Sequence, residues 1–231
     1  MTVDREHLLS EAARLLTRKP TASMDEIARA AGISRATLHR RFAGRDALVR
    51  ALEALCLRQL TAALDAAGVD AGTTGEVESS GEGERDGEGE QDGVPGNEDA
   101  ASGEEDAAGD PERTLRRMIA EVQPVAGFLA FLITENQLFE PGALSCGWRR
   151  LDERIGALFQ RGQQEGVFRT DLSDAWLTEA FYALVTASAW AVQDGRIAAR
   201  DRARMPTELL LGGALRRGAG SRADSRTERG R

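Results

Sequence analysis

The sequence predicts an all-α protein. Apolar residues recur at i, i+3, i+4 and i+7 in one segment after another, and no segment alternates as a half-buried strand would. Ser, Asp, Gly and Pro stand where those segments begin and end. The first stripe is Leu9, Ala12, Ala13 and Leu16, a helix over 4–16 that Arg18, Lys19 and Pro20 close. The second is Met24, Ile27, Ala28 and Ala31. Ser23 precedes it with Glu26 three residues on, the pairing of a capping box, and Gly32 follows where a helix end favours a left-handed residue. Ser34 can cap a third helix at once, with Ile33 packed on Leu38 as a hydrophobic staple and Leu38 and Phe42 as its buried edge. Two short capped helices around one glycine-centred turn form a helix-turn-helix signature. A long helix over 45–64 follows, with Leu48, Leu52, Leu55, Cys56 and Leu60 along one side.

Residues 68–110 interrupt this regularity. Across 68–112 there are sixteen Asp or Glu against one Arg, with glycine and small residues and no aromatic ring. Such a chain buries too little apolar surface to offset its conformational entropy, so a disordered acidic linker is expected. It reads either as a solubilising insert or as an intramolecular competitor for a basic face. Order is expected to resume at Asp110-Pro111, a cap with proline at the first helical position. Leu115, Met118, Ile119 and Val122 then form a helix that Pro124 should end or kink. A more apolar helix is expected over 125–139, stopped by Pro141 and Gly142, then another from 145 or 147 through Trp148, Leu151, Ile155, Leu158 and Phe159 to Gly166. After a loop over 168–172, Ser173 caps a helix over 174–192 that Gly195 closes. Met205-Pro206 precedes a last helix over 207–215, and a frayed basic tail follows Gly218.

The third helix is informative for what it leaves outside. At 100° per residue, Ala36 and Arg40 point away from the Leu38 and Phe42 edge, flanked by Thr37 and His39, with Arg35 and Arg41 nearer the rim. A small residue, a hydroxyl, an imidazole and three guanidiniums make a poor core face. They suit duplex DNA, where Arg pairs bidentately with guanine or phosphate and Thr meets a thymine methyl or a phosphate oxygen. Thr21 and Ser23, ahead of the second helix, are placed to meet phosphate, although Ser23 also has its cap to make.

The stretch SMDEIARAAGISRATLHRRFAGRDALVRAL resembles the DNA-binding domain of the TetR/AcrR transcriptional regulators. Ile27, Ala28, Ala31, Gly32, Ser34, Leu38, Phe42 and Leu48 match its pattern. His39 stands where the family usually has Tyr, and Arg45 where it usually has Lys. The resemblance implies a three-helix helix-turn-helix domain at 1–50, a connecting helix at 51–67, the linker at 68–110, a helical ligand-binding and dimerisation bundle at 111–217 and a disordered tail at 218–231. It implies DNA contacts from Thr21, Ser23, Ser34, Arg35, Ala36, Thr37, His39, Arg40, Arg41 and Arg45, the last two departures falling at phosphate-contacting positions. It also implies a homodimer formed by the last two helices on a palindromic double-stranded operator, a repressor's role, and control by a small-molecule effector. The competing reading is a protein-interaction adaptor that uses the acidic insert and binds no specific DNA.

Ten of the eleven aromatic residues lie between Phe128 and Trp190. They either pack as core or line an apolar ligand cavity, whose walls would be Phe128, Phe131, Leu132, Glu135, Trp148, Leu151, Phe181 and Tyr182. Ala180, Leu184, Ala187 and Ala191, with Leu209, Leu210 and Ala214, form small or apolar faces suited to close helix approach between two copies.

Composition excludes other classes. The net charge of −8 comes from the insert: 68–112 carries −15, against +3 for 1–67 and +4 for 113–231. Screening limits the insert's field to roughly 8 Å at physiological salt, so the acidity does not oppose DNA binding. The only histidines are His7 and His39, and no phosphate-binding glycine loop or nucleophile–base set occurs, so no enzyme and no cofactor are expected. Cys56 and Cys146 lack metal-ligand spacing and read as reduced thiols. No secretory signal is apparent, and the longest apolar run, 125–133, is short for a membrane span, so a cytoplasmic protein is expected.

Overall fold

The computed structural model describes residues 4–69, 109–135 and 146–216; the acidic linker, the segment 136–145 and the tail lie outside the described residues. Eight α-helices and one 3-10 turn follow one another: α1 (Arg5–Arg18), α2 (Met24–Ala30), α3 (Arg35–Arg41), α4 (Arg45–Ala67), α5 (Pro111–Thr134), α6 (Cys146–Gln164), α7 (Asp174–Gln193), the 3-10 turn (Ala199–Asp201) and α8 (Arg204–Ala214). The protein is all-α, an N-terminal helix-turn-helix joined to a C-terminal helical bundle.

Local chemistry sets the first three helices. The Ser23 hydroxyl accepts the Glu26 N–H at 3.3 Å while the Glu26 carboxylate accepts the Ser23 N–H at 2.8 Å, completing the capping box. At the other end of α2, Gly32 has φ +67°. Its N–H donates to the Arg29 carbonyl and the Ile33 N–H to the Ala28 carbonyl, so the last carbonyls of the helix are satisfied before the chain turns. Ser34 then accepts the Thr37 N–H at 3.1 Å and starts α3. Leu8, Leu9, Ala12 and Leu16 of α1 are buried with Ile27, Ala28, Leu38 and Phe42, which fixes α3 against the rest of the domain.

Helix α5 is the centre of the second half, packed against α1, α4, α6, α7 and α8. Pro124 neither ends nor divides it. A mid-helix proline costs about 3 kcal/mol. Val122, Val125, Ala126, Phe128 and Leu129 are buried on either side of it, and full burial of a large apolar side chain returns about 1.5–3 kcal/mol each, so packing carries the helix through. By length and mean hydropathy (1.3 over eighteen residues) α5 could cross a membrane, but 61% of that window is buried inside the fold. Its apolarity is that of a core helix.

Two ties close the bundle. Arg154 of α6, 9% exposed, donates to the Asp65 carboxylate at 2.6 Å and to the Val69 carbonyl, pinning the end of α4. Phe168 and Leu215 form an isolated antiparallel bridge, with the Arg169 N–H on the Ala214 carbonyl and the Arg216 N–H on the Val167 carbonyl. The Phe168 ring packs where a Cβ on Gly162 would fall 2.2 Å from it, so only glycine fits there.

Helix α8 begins earlier than expected, with Pro206 in its first turn. Leu210 and Ala214, read from the sequence as an outer face with Leu209, turn inward onto α5 and α7 and are buried. Its outer face is Arg204, Met205, Glu208, Leu209 (65% exposed), Gly212 and Gly213. On α7 the outer stripe is Trp176, Glu179, Ala183, Ala187 and Trp190, with Ala180 and Leu184 half-buried beside it.

Candidate nucleic-acid interface

With Leu38 fully buried and Phe42 nearly so, α3 can present only its other side. Ala36, His39 and Arg40 are exposed there, and Thr37 is half-exposed. The Thr37 hydroxyl lies 2.9 Å from that of Ser34 and accepts from Arg40 Nη2 at 3.5 Å, so Ser34, Thr37 and Arg40 form one chain of polar contacts along the helix. Arg35 is drawn aside, its Nη1 3.2 Å from Asp25 Oδ2 and its Nε 3.2 Å from Oδ1, and it links α3 to α2. Arg41 is half-buried at the rim. Thr21 is exposed in the turn before α2.

Ser23 is engaged on both its hydroxyl and its N–H by Glu26. Lys19 also reaches Glu26, with Nζ 2.6 Å from Oε1. That ammonium, with the Ser23 backbone and hydroxyl bonds, holds the Glu26 carboxyl at about 2, below its ordinary 4.5. In this arrangement Ser23 serves the cap.

Arg45 shows a role that sequence reasoning missed. Its Nη1 donates to the Ala22 carbonyl at 2.8 Å and its Nη2 to the Pro20 carbonyl at 2.6 Å. Nε and Nη2 also meet the two oxygens of Glu135 at 3.1 and 2.9 Å. One guanidinium thus joins the α1–α2 turn, the start of α4 and the end of α5. The planar fork of five donors makes this possible, where a lysine at the same position would offer a single point charge. A second missed contact is Arg5, whose guanidinium carbon lies 6.0 Å from the Phe42 ring centroid. No local sequence signal links residues so far apart.

The eight residues read as ligand walls differ in their surroundings. Phe131, Leu132, Leu151 and Phe181 are packed into the core, each no more than 2% exposed. Glu135 is taken by Arg45. Trp148 donates its indole N–H to Glu53 Oε1 at 2.9 Å, and the Tyr182 hydroxyl donates to Asp152 Oδ1 at 2.9 Å. Burial pushes the Asp152 carboxyl up, with Tyr182 pulling the other way, and burial pushes the Tyr182 phenol well up too. Burial also raises the Cys56 thiol far above its ordinary range, leaving it inert. Phe128 lines a cleft of about 620 Å³ between α1, α4 and α5.

The geometry is that of a helix-turn-helix with a basic outer face, and comparison with known proteins agrees. Residues 8–52, from α1 to the first turns of α4, match the family model described as bacterial regulatory proteins, tetR family. The helix-turn-helix segment is that of the tetR family of bacterial regulatory proteins. It is similar to the HTH-type transcriptional regulator NfxB of Pseudomonas aeruginosa, 29% identical over 214 residues that cover 90% of this chain and 93% of NfxB. Among solved structures, the TetR-like regulator LfrR from Mycobacterium smegmatis in complex with proflavine shares the fold with a TM-score of 0.62 at 22% identity, over 92% of this chain and 97% of LfrR. The ketosteroid transcriptional regulator KstR2 of Mycobacterium tuberculosis does so with a TM-score of 0.60 at 16% identity, over 94% of this chain and 97% of KstR2. The relative that spans nearly the whole chain is an HTH-type transcriptional regulator, and the helix-turn-helix is the part that the family model matches.

Proposed function

We propose that this regulator is a homodimeric repressor, acting in the cytoplasm, that releases a palindromic operator when a small apolar ligand binds. The observation that carries the reading is α3: pinned by Leu38 and Phe42, it leaves Ala36, Thr37 and Arg40 facing outward. We assign those three to base edges in the major groove. His39, Arg41, Arg35, Arg45, Thr21 and the cap residues Ser23 and Ser34 lie around them and are assigned to phosphates and groove rims.

The exposed apolar stripes of α7 and α8 support the dimer. Trp176 and Trp190 are 61% and 41% exposed and bracket Ala183 and Ala187, while Leu209 stands beside Gly212 and Gly213. Large exposed apolar side chains next to small ones are what two helices from each of two copies would cover. The two α3 helices would then enter successive major grooves about 34 Å apart. In this assignment 1–50 binds DNA, 51–67 connects, and 111–217 binds ligand and partner copy. That LfrR was crystallised with proflavine supports a small-molecule role for the same architecture.

Footprinting on the DNA upstream of the gene, repeated across salt concentrations, tests the reading. One protected palindrome, lost with added salt and released by a small molecule, is expected. Equal binding to every fragment offered would overturn sequence-specific repression.

A further inference from the structure

The cleft between α1, α4 and α5 combines an apolar floor with an unbalanced positive rim. Leu55 of α4 with Pro124 and Phe128 of α5 form the floor; Arg14 and Arg18 of α1 and Arg202 before α8 stand around it. No acidic side chain lines it. Arg202 makes no side-chain hydrogen bond or ion pair among the described residues. Arg18 donates only through Nε, to the Arg14 carbonyl at 3.3 Å. Arg14 reaches out to Glu11 at 3.0 Å from a side chain 72% exposed, a surface pair that gives way readily to a stronger partner.

Three guanidiniums around an apolar pit call for a counter-charge attached to an apolar body. Arg binds carboxylate, sulfonate or phosphate through paired N–H donors, and such bonds strengthen as water is displaced from the site. A volume of about 620 Å³ falls within the 300–1,000 Å³ typical of small-molecule sites. Leu55, Pro124 and Phe128 offer a hydrophobic body its surface, with Ser10, Thr17 and Gln59 as neutral polar groups beside it.

We infer that this cleft binds an amphipathic organic anion, an aromatic or branched apolar body carrying one anionic group. The inference rests on the ligand-responsive reading above and gives that ligand a place and a chemical class. It also supplies a route to DNA. At one end of the cleft α1 and α5 nearly touch: a Cβ on Gly127 would lie 2.8 Å from Thr17 Cγ2. A body seated beside that contact bears on α1, and α1 carries Leu8, Leu9 and Ala12, which share the buried cluster with α2 and α3.

The test uses the full-length protein and two matched dyes, 1-anilinonaphthalene-8-sulfonate and its uncharged analogue N-phenyl-1-naphthylamine. The sulfonate should bind saturably, one per chain, and more tightly than the uncharged dye. Arg18→Gln with Arg202→Gln should weaken it by about tenfold, and the paired Glu substitutions by more, while the uncharged dye is indifferent to both. Circular dichroism melts establish that the variants fold, and Arg202→Gln alone serves as the mildest version. Equal binding of the two dyes, or sulfonate affinity unchanged by the substitutions, would overturn the inference. So would an effector that releases DNA from the Gln pair as readily as from wild type, though the regulator reading would survive that result. Operator binding that responds to no small molecule would sink the regulator reading and leave the dye titration to decide the cleft.

Discussion

Arg45 and Glu135, ninety residues apart in the chain, are joined by hydrogen bonds of 3.1 and 2.9 Å. The pair ties the helix-turn-helix to the end of α5 through a residue assigned to DNA phosphate. The two uses compete, since a guanidinium clamped by a carboxylate and two carbonyls has few donors left. Glu135→Gln should therefore free Arg45. Binding to all duplexes should tighten, and the slope of log affinity against log salt should steepen by about one phosphate contact. Stability should fall by about 1 kcal/mol, the range for a partly exposed pair. A titration in fluorescence anisotropy across salt measures the first two, and an unchanged slope would show that Arg45 makes no phosphate contact.

Arg40 is the base-reading candidate on α3, exposed and hydrogen-bonded to Thr37. Arg40→Ala should cost roughly 1–3 kcal/mol of operator affinity and relax preference at one base position. Competition gel shifts against operators altered one base at a time read both effects. Full affinity and full discrimination in the variant would remove Arg40 from base readout.

Ser34 is read from the sequence as the cap of α3 and, through the resemblance, as a DNA contact; in the structure it caps α3. The two roles separate by measurement. Ser34→Ala should lower unfolding free energy by about 1 kcal/mol, because a Thr37 N–H loses its acceptor. Ser34→Asp keeps an acceptor and should restore stability, yet should weaken DNA binding by placing an anion against phosphate. Urea unfolding and anisotropy on the same samples decide it.

Much of this could be read from the sequence because it is local. Ser23 with Glu26, Gly32 and Ser34 act within four residues of where they sit, so residue spacing alone located α2, the turn and α3. Pro124 misled because a proline's cost is local while the packing of Val122, Val125 and Phe128 that outweighs it is not. The same holds for Leu210 and Ala214: an eleven-residue helix with apolar residues on two sides does not reveal which side meets α5 and α7. The Arg45–Glu135 and Arg5–Phe42 pairs span such sequence distances that no periodicity announces them.

The Glu26 carboxyl gives a pH prediction with a definite sign. Its pKa is held at about 2 in the folded chain, chiefly by Lys19, against an ordinary 4.5. A carboxyl whose pKa is depressed on folding stabilises the protein above the unfolded value, and that contribution is lost as pH falls through the folded one. The window therefore runs from about 4.5 down to about 2. Thermal melts of wild type and Glu26→Gln should differ at neutral pH and converge across that window. A constant difference down to pH 2 would mean that the cap does not depend on the charge.

The α7 and α8 stripes yield the sharpest prediction about assembly. Leu209 is 65% exposed in the single chain, yet a leucine set beside Gly212 and Gly213 has the form of a contact that only a second copy completes. In a two-fold dimer every interface residue appears twice, so one substitution acts twice. Burying an unpaired polar group costs roughly 1–3 kcal/mol, which doubled weakens the dimer by about 30-fold or more. Leu209→Glu, and independently Ala183→Glu on α7, should thus give monomers in analytical ultracentrifugation at concentrations where wild type is dimeric. Operator affinity should fall in parallel, because a lone helix-turn-helix reads one half-site. Leu210→Glu serves as contrast: Leu210 is buried within the chain, so that variant should lose thermal stability first. If both outer-face variants stay dimeric, the subunits meet elsewhere and the spacing of the two α3 helices must be reassigned.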